Sequence, residues 1–469
     1  MIPANLENII RESIAINGDR IGVVNEAKLR NEAIDSLVYE AVFGEPNQRP
    51  HARWIIWEIA QELGIRPSSI HPFYMARGRG IIPTNFSLPA MNFRGLAYDT
   101  ARALFKTAVS TSSKSFICEL ARGEMGYCDQ TPAEYTTCML AGAIREGYVG
   151  PVFIQGDHFQ TKCSVAPGVP DNEEIDALVK LIKEALRAGF YNIDIDTSTL
   201  VDLQKASVQD QQASNIHYTA ELLKVIRSLE PVGMTVSIGG EIGHIGGKNS
   251  TLQDFTTYMD GLIRLCPDAP LISKISVATG TSHGGVINPD GSLAKVTVDF
   301  DVLKNITTTA RQKYLIAGAV QHGASTLPDD MLHLFPETEA VEIHLATGFQ
   351  NIIMDHPSFP KELLDQMYVW LDTVKQSERE VGWTDEQFHS KLRKKCWGMF
   401  KKATWDLSDS IRKDIRDSLS GRFELIFKEL NILNSGELIA EHTPANDVHK
   451  EVIDFALPPQ VKEVTGLSD

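Results

Sequence analysis

The sequence predicts an α/β fold, in which parallel strands alternate with helices. Two observations carry that prediction. Apolar, β-rich runs recur at residues 86–92, 115–121, 151–157, 191–196, 234–241, 271–279, 314–322 and 349–355. Helical patterns, such as residues 175–188 and 218–229, lie between several of them. Alternation of this kind means a parallel sheet with helices outside it. About eight such units fit a closed (β/α)8, or TIM, barrel. The alternative is an open doubly wound sheet. No Gly-rich dinucleotide fingerprint follows the first strand, which weighs against it.

The flanks read differently. Residues 1–80 are expected to form a helical N-terminal extension. Residues 27–43 and 52–63 mix charges with apolar side chains at helical spacing, until Pro67, Pro72 and Gly78-Arg79-Gly80 break the pattern. The barrel is expected over residues 81–358. Residues 359–469 read as a C-terminal helical region, with helices near 362–377, 385–402 and 409–430 and a polar tail after Gly436. There is no internal repeat and no low-complexity tract.

Composition narrows the function classes. The 469 residues are 43% hydrophobic and 23% charged, ordinary values for a soluble globular protein. A net charge of −16 argues against a nucleic-acid partner, while leaving room for a local basic pocket that takes a phosphorylated small molecule. Six scattered cysteines without CxxC spacing read as reduced thiols. The N-terminus has neither a basic start nor an apolar core of signal-peptide type. No apolar run approaches the roughly 18 residues of a membrane span. A cytoplasmic enzyme without a membrane partner is the expectation.

Three strands end abruptly in polar groups. They lead into Gly156-Asp157-His158, Thr281-Ser282-His283-Gly284 and Gln321-His322-Gly323-Ala324-Ser325. A closed barrel converges the C-terminal ends of its strands, so His158, His283 and His322 are expected to share one metal. Three imidazoles and an open position suit catalytic zinc, or cobalt or manganese. Asp157, next to His158, is placed to act as general acid towards an aldehyde oxygen, or else to orient an imidazole. Asp196 and Glu241 close the fourth and fifth strands. They read as a possible second metal site, or as capping and ion-pairing groups. Gly284, Gly323 and Ser325 offer backbone N–H and hydroxyl groups for a phosphate at strand–helix turns.

These pieces, in this order, resemble the class II, metal-dependent fructose-bisphosphate aldolases. The resemblance runs from about residue 82 to 358, and more faintly to about 431. It rests on Pro89-Ala90-Met91-Asn92, Gly156-Asp157-His158, Ile195-Asp196-Thr197-Ser198, Glu241-Ile242-Gly243-His244-Ile245-Gly246-Gly247, Thr281-Ser282-His283-Gly284 and His322-Gly323-Ala324-Ser325. It implies zinc on His158, His283 and His322, with Asp157 protonating the aldehyde carbonyl. It also implies Asn92 beside the dihydroxyacetone phosphate portion, and Gly284, Gly323 and Ser325 on the phosphate. The ion would polarise the ketone and stabilise the enediolate left by C–C cleavage. Asp355 is expected to bind substrate from the eighth strand, and the family implies a homodimer or homotetramer.

The chain departs from the family pattern around the substrate. The loop after strand five reads Gly246-Gly247-Lys248-Asn249-Ser250, without the usual glutamates, for which Glu119, Glu124 and Lys248 are the candidate stand-ins. A strand-two serine is Ala121. Ile353 stands where an asparagine precedes the expected strand-eight aspartate. The C-terminal Tyr-Asp-Pro-Arg pattern is best matched by Trp405-Asp406-Leu407-Ser408, with Arg412 or Arg416 as replacements for its arginine. The resemblance implies fructose 1,6-bisphosphate as the default substrate, and these departures are what motivate the alternatives. The alternatives are another sugar, such as tagatose bisphosphate or a deoxy- or sulfo-sugar phosphate, or a barrel without catalysis.

Overall fold

The computed structural model describes residues 2–18, 20–163, 166–243, 248–280, 288–289 and 298–456. Eight strands close a barrel: β1 (Leu88–Asn92), β2 (Ile117–Ala121), β3 (Gly150–Gln160), β4 (Asn192–Asp196), β5 (Ser237–Glu241), β6 (Lys274–Val277), β7 (Ala319–Gln321) and β8 (Glu342–Leu345). Each pairs in parallel with its neighbour in sequence, and β8 returns to β1 through Glu342↔Leu88 and His344↔Ala90. Helices follow the strands on the outside, among them Ala97–Ser110, Pro132–Glu146, Asn172–Ala188 and Val208–Leu229. The expected (β/α)8 barrel is present.

The strands alternate in a way that decides what the barrel can do. On β4, Ile193 and Ile195 alternate with Asn192, Asp194 and Asp196. On β6, Ile275 and Val277 alternate with Lys274 and Ser276. On β8, Ile343 and Leu345 alternate with Glu342 and His344. The polar set meets inside: Lys274 on β6 reaches Asp194 on β4 at 2.9 Å and Gln155 on β3 at 2.8 Å. The apolar set faces the helices, and burying it supplies the main driving force for closing the sheet. A side chain at Gly239 on β5 would place its Cβ 2.2 Å from Asp194 Oδ1 and 2.9 Å from Lys274 Cε, so the interior ion pair requires glycine there.

The eighth strand is a correction. Residues 349–355 are not a strand: they fall in the helix Thr347–Met354 and its C-cap, Asp355. Their apolar side chains at helical spacing bury Phe349, Ile353 and Met354. The true β8 lies a few residues earlier. Half of its short span is polar, because those side chains point into the barrel.

The N-terminal extension is mostly helical but also contributes strands. Ile14–Asn17 pairs with Arg20–Val23 as an antiparallel hairpin. Ile65–Ser68 adds in parallel to the first half of β3, along the edge that β4 leaves free because it pairs only from Gln155 onward. The tail was expected to be irregular, but its described part forms a helix over Gly436–His442 and a 3-10 turn over Val452–Phe455, and the stretch between them is pinned. Trp54 and Trp57 donate their indole N–H groups to the carbonyls of Lys450 and Val448, at 2.8 and 2.6 Å. Glu58 accepts from the Lys450 backbone N–H at 2.9 Å. The Lys450 ammonium lies over the Trp57 ring, 3.7 Å from its centroid, and burial pushes it down to about 7.

Candidate active site

At the centre of β3, pairing with β4 slips between Gly156 and Phe159. Asp157 and His158 therefore occupy a bulge within an 11-residue strand rather than a strand end. Consecutive residues of a regular strand face opposite sides. The bulge, with His158 at φ +42°, turns both side chains inward. Gly156 makes room for it: a Cβ there would lie 2.4 Å from the Phe159 ring.

The other strands that bear on this bulge are β1, β4, β5, β7 and β8, with β6 reaching it through His322. His158 Nδ1 lies 3.1 Å from Asp196 Oδ2 on β4 and 3.6 Å from Glu241 Oε2 on β5. Its ring meets that of His322, just past β7, with centroids 4.4 Å apart. Ser276 on β6 is 3.1 Å from His322 Nε2. Asn92 on β1 donates to Asp157 Oδ2 at 3.1 Å and to Glu124 at 2.8 Å, and Glu124 is paired with Arg94 at 2.6 Å. His344 on β8 lies against His322 with the rings tilted by 38° and centroids 4.2 Å apart, and its Nδ1 lies 3.2 Å from Asp157 Oδ1. Every one of these side chains is buried.

Such crowding moves protons. Burial opposes the charge on Asp157, but His158 and His344 outweigh it and hold the carboxyl well below its usual range. Burial likewise opposes a charged His158, yet Asp157, Asp196 and Glu241 hold it well above. Glu241 is pushed well up by burial and then by Asp196. Deeper in the barrel, burial raises Asp194 to about 6.

This chemistry fits a divalent cation. Donor atoms of His158, Glu241 and His322 lie within 4.8 Å of one another, and so do those of Asp157, Asp194, His322 and His344. Imidazole and carboxylate donors suit zinc, cobalt or manganese. An ion would displace the protons that now balance the carboxylates. A cavity of about 30 Å³, lined by Asn92, Asp157, His158, His322 and His344 among others, is large enough for an ion or a water molecule but not for a sugar. A cleft of about 550 Å³ opens beside it over the ends of β3, β4 and β5, and Lys162 and Lys248 line it. Ser198, on the wall of that cleft, donates to Asp196 at 2.7 Å and so links the two spaces.

The sequence-expected residues divide clearly. Asp157, His158, His322, Asn92, Asp196 and Glu241 come together. Gly323 and Ser325 also line the small cavity, and Ser325 Oγ accepts the Ala346 backbone N–H at 2.5 Å. His283 and Gly284 lie outside the described residues. Asp355 is a correction. It is the C-cap of the helix after β8, and its carboxylate is held by Arg393 at 2.5 and 2.8 Å rather than facing the cavity. Arg412 and Arg416 both clamp the buried Asp99 on the helix Ala97–Ser110, which makes them structural.

His344, Glu342, Lys274, Asp194 and Arg94 were not anticipated. The first four had a signal, namely polar residues at period two within short β-rich runs. Arg94 follows β1 by two residues and had none.

A family model described as fructose-bisphosphate aldolase, class II, matches residues 83–396. No curated protein matches the chain. Among solved structures, the YdjI aldolase from Escherichia coli K12 aligns at 13% identity with a TM-score of 0.45, covering 78% of this chain and 98% of that one. A fructose-bisphosphate aldolase from Campylobacter jejuni aligns at 17% identity with a TM-score of 0.47, covering 79% and 97%.

Proposed function

This chain belongs to the class II fructose-bisphosphate aldolase family, and from that premise we propose that it reversibly cleaves a ketose bisphosphate into dihydroxyacetone phosphate and an aldehyde, using zinc or another divalent ion such as cobalt or manganese. One observation carries the reading: the β3 bulge aims Asp157 and His158 into a buried pocket that His322 closes from β7.

His158 and His322 would hold the ion, with His283 as the third imidazole and Asp196 and Glu241 as carboxylates for a second position. A divalent ion there would supply Lewis-acid polarisation of the ketone and stabilise the charge that cleavage leaves on its oxygen. Asp157 does the proton work. In cleavage it takes the C4 hydroxyl proton as the C3–C4 bond breaks, and C3 then takes a proton from water to give dihydroxyacetone phosphate; in condensation Asp157 returns its proton to the aldehyde oxygen. Its ionised state at neutral pH suits the first role. Asn92 fixes Asp157 and faces the same cavity. The turn carrying Gly323 and Ser325, with Gly284, binds the phosphate of the dihydroxyacetone half. The carbon chain would run from the small cavity towards the larger cleft, where Lys162 and Lys248 offer positive charge to an anionic substrate.

Fructose 1,6-bisphosphate is the default substrate. The second reading is another sugar phosphate, such as tagatose bisphosphate or a deoxy- or sulfo-sugar. It is favoured by Lys248, Asn249 and Ser250 in the loop after β5. Missing or exchanged polar partners change affinity for one hydroxyl or phosphate at a time. No described helix is long and apolar enough to cross a membrane, and all six cysteines are free, which suits a reducing cytoplasm. A homodimer or homotetramer is the proposed assembly.

A panel of ketose phosphates, each tested for release of dihydroxyacetone phosphate, is the test. The expected result is the highest kcat/KM on fructose 1,6-bisphosphate. A preference of more than about tenfold for another sugar would move the assignment to it. Silence across the panel would overturn the aldolase reading.

A further inference from the structure

Beneath Asp157 the barrel interior is polar where an apolar plug would have served the fold. His344 and Glu342 lie two residues apart on β8 and so share its inward face. His344 Nε2 is 2.7 Å from Glu342 Oε1. That same oxygen accepts the Gln155 amide N–H at 3.0 Å and the Lys274 ammonium, while the other oxygen accepts the Tyr74 hydroxyl. Lys274 is held in turn by Asp194 at 2.9 Å. Glu342 is thus fixed by donors from three directions and presents an acceptor to His344. The far side of the ring, Nδ1, lies 3.2 Å from Asp157 Oδ1 and 3.2 Å from Glu119 Oε1.

Glu119, Glu342 and His344 have the spacing of a metal site. The contacts argue against that use. Glu342 Oε1 already faces three donors, and one of them is the Lys274 ammonium, which would repel an ion placed beside it. The cluster is better explained by its upper end. Asp157 sits in a bulge, where the ladder does not fix the side chain, and needs partners to set its carboxyl plane. Asn92 supplies one partner at Oδ2 and His344 the other at Oδ1.

We propose that His344 is a positioning residue for Asp157, held in place by Glu342 and, behind it, by Lys274. The inference rests on the aldolase reading and deepens it. The network converts a mobile carboxylate in a bulge into one aimed at the C4 oxygen. It serves proton transfer during C–C cleavage and leaves ion binding to His158 and His322.

The test separates steps that need Asp157 from those that do not. Exchange of the dihydroxyacetone phosphate C3 proton with solvent requires the ion and the phosphate site, whereas cleavage also requires Asp157. His344→Phe keeps a ring against His322 and is expected to lower kcat for cleavage by about 10–100-fold, as loss of an orienting partner does elsewhere. KM, bound metal and C3 proton exchange should stay within about twofold of wild type on the same principle. His344→Asn, whose amide N–H can take the place of Nδ1–H, should recover most of the loss. Adding His344→Phe to Asp157→Asn should cost nothing further, because the two act through one group.

Unchanged cleavage in His344→Phe would overturn the proposal. So would loss of metal and exchange along with cleavage, which would make His344 part of the ion site, or a His344→Asn variant as slow as His344→Phe. Wild-type protein that shows exchange but no cleavage would also refute it. Wild type with neither activity on any sugar phosphate would refute the aldolase reading itself, and this inference with it.

Discussion

His322→Ala is expected to strip the protein of its metal and of turnover together. His322 is the hinge of the site. Its ring lies between those of His158 and His344, at 4.4 and 4.2 Å, and it belongs to both buried donor groups that could hold an ion at the mouth of the barrel. Among the described residues, removing it leaves only carboxylates beside His158 as donors and opens a void beside Ser276. Cleavage should fall by at least about 10³-fold, since the chief electrostatic stabiliser of the developing charge is lost. Metal per chain, measured on the purified variant, should drop from stoichiometric to a small fraction. A variant that kept its metal and its activity would show that the ion, if any, is held elsewhere.

Asp157→Asn should separate the two halves of the chemistry. The amide has nearly the shape of the carboxylate, so the bulge and the contacts around it should survive. What disappears is the group that accepts and returns the C4 proton. A fall in kcat of about 10²–10⁴-fold is expected for loss of a general acid–base group. Bound metal should remain stoichiometric. Steady-state kinetics and metal analysis on the same preparation check both points. Equal loss of metal and turnover would place Asp157 among the ligands rather than at the reacting proton.

Much of this architecture was legible because burial on both sides of a parallel strand leaves an apolar run. The expected runs at 86–92, 115–121, 151–157, 191–196, 234–241, 271–279 and 314–322 each overlap a strand, with ends displaced by a few residues. The exception is instructive. Residues 349–355 are more apolar than Glu342–Leu345, yet they form a helix, while the short stretch with Glu342 and His344 is the strand. A strand whose inner face carries function alternates, and in four residues that alternation looks like a loop. The same blind spot hid His344, Glu342, Lys274 and Asp194, all of which use inward positions.

Within the site, Asp157, His158 and His322 were legible from their place at the ends of apolar runs. The reason they meet was not. Adjacent residues on β3 both point inward only because pairing with β4 slips by a bulge, and a bulge leaves little trace in composition. Long-range partners were equally hidden. Arg416 looked available for a phosphate until the fold placed Asp99 against it. Asp355 looked like a substrate ligand until Arg393 closed on it.

The most direct measurement is cleavage of fructose 1,6-bisphosphate by purified protein, first with EDTA and then with zinc restored. Activity that EDTA abolishes and zinc returns, with about one ion bound per chain, is the result predicted here. Turnover that persists in a metal-free preparation would contradict the account at its centre.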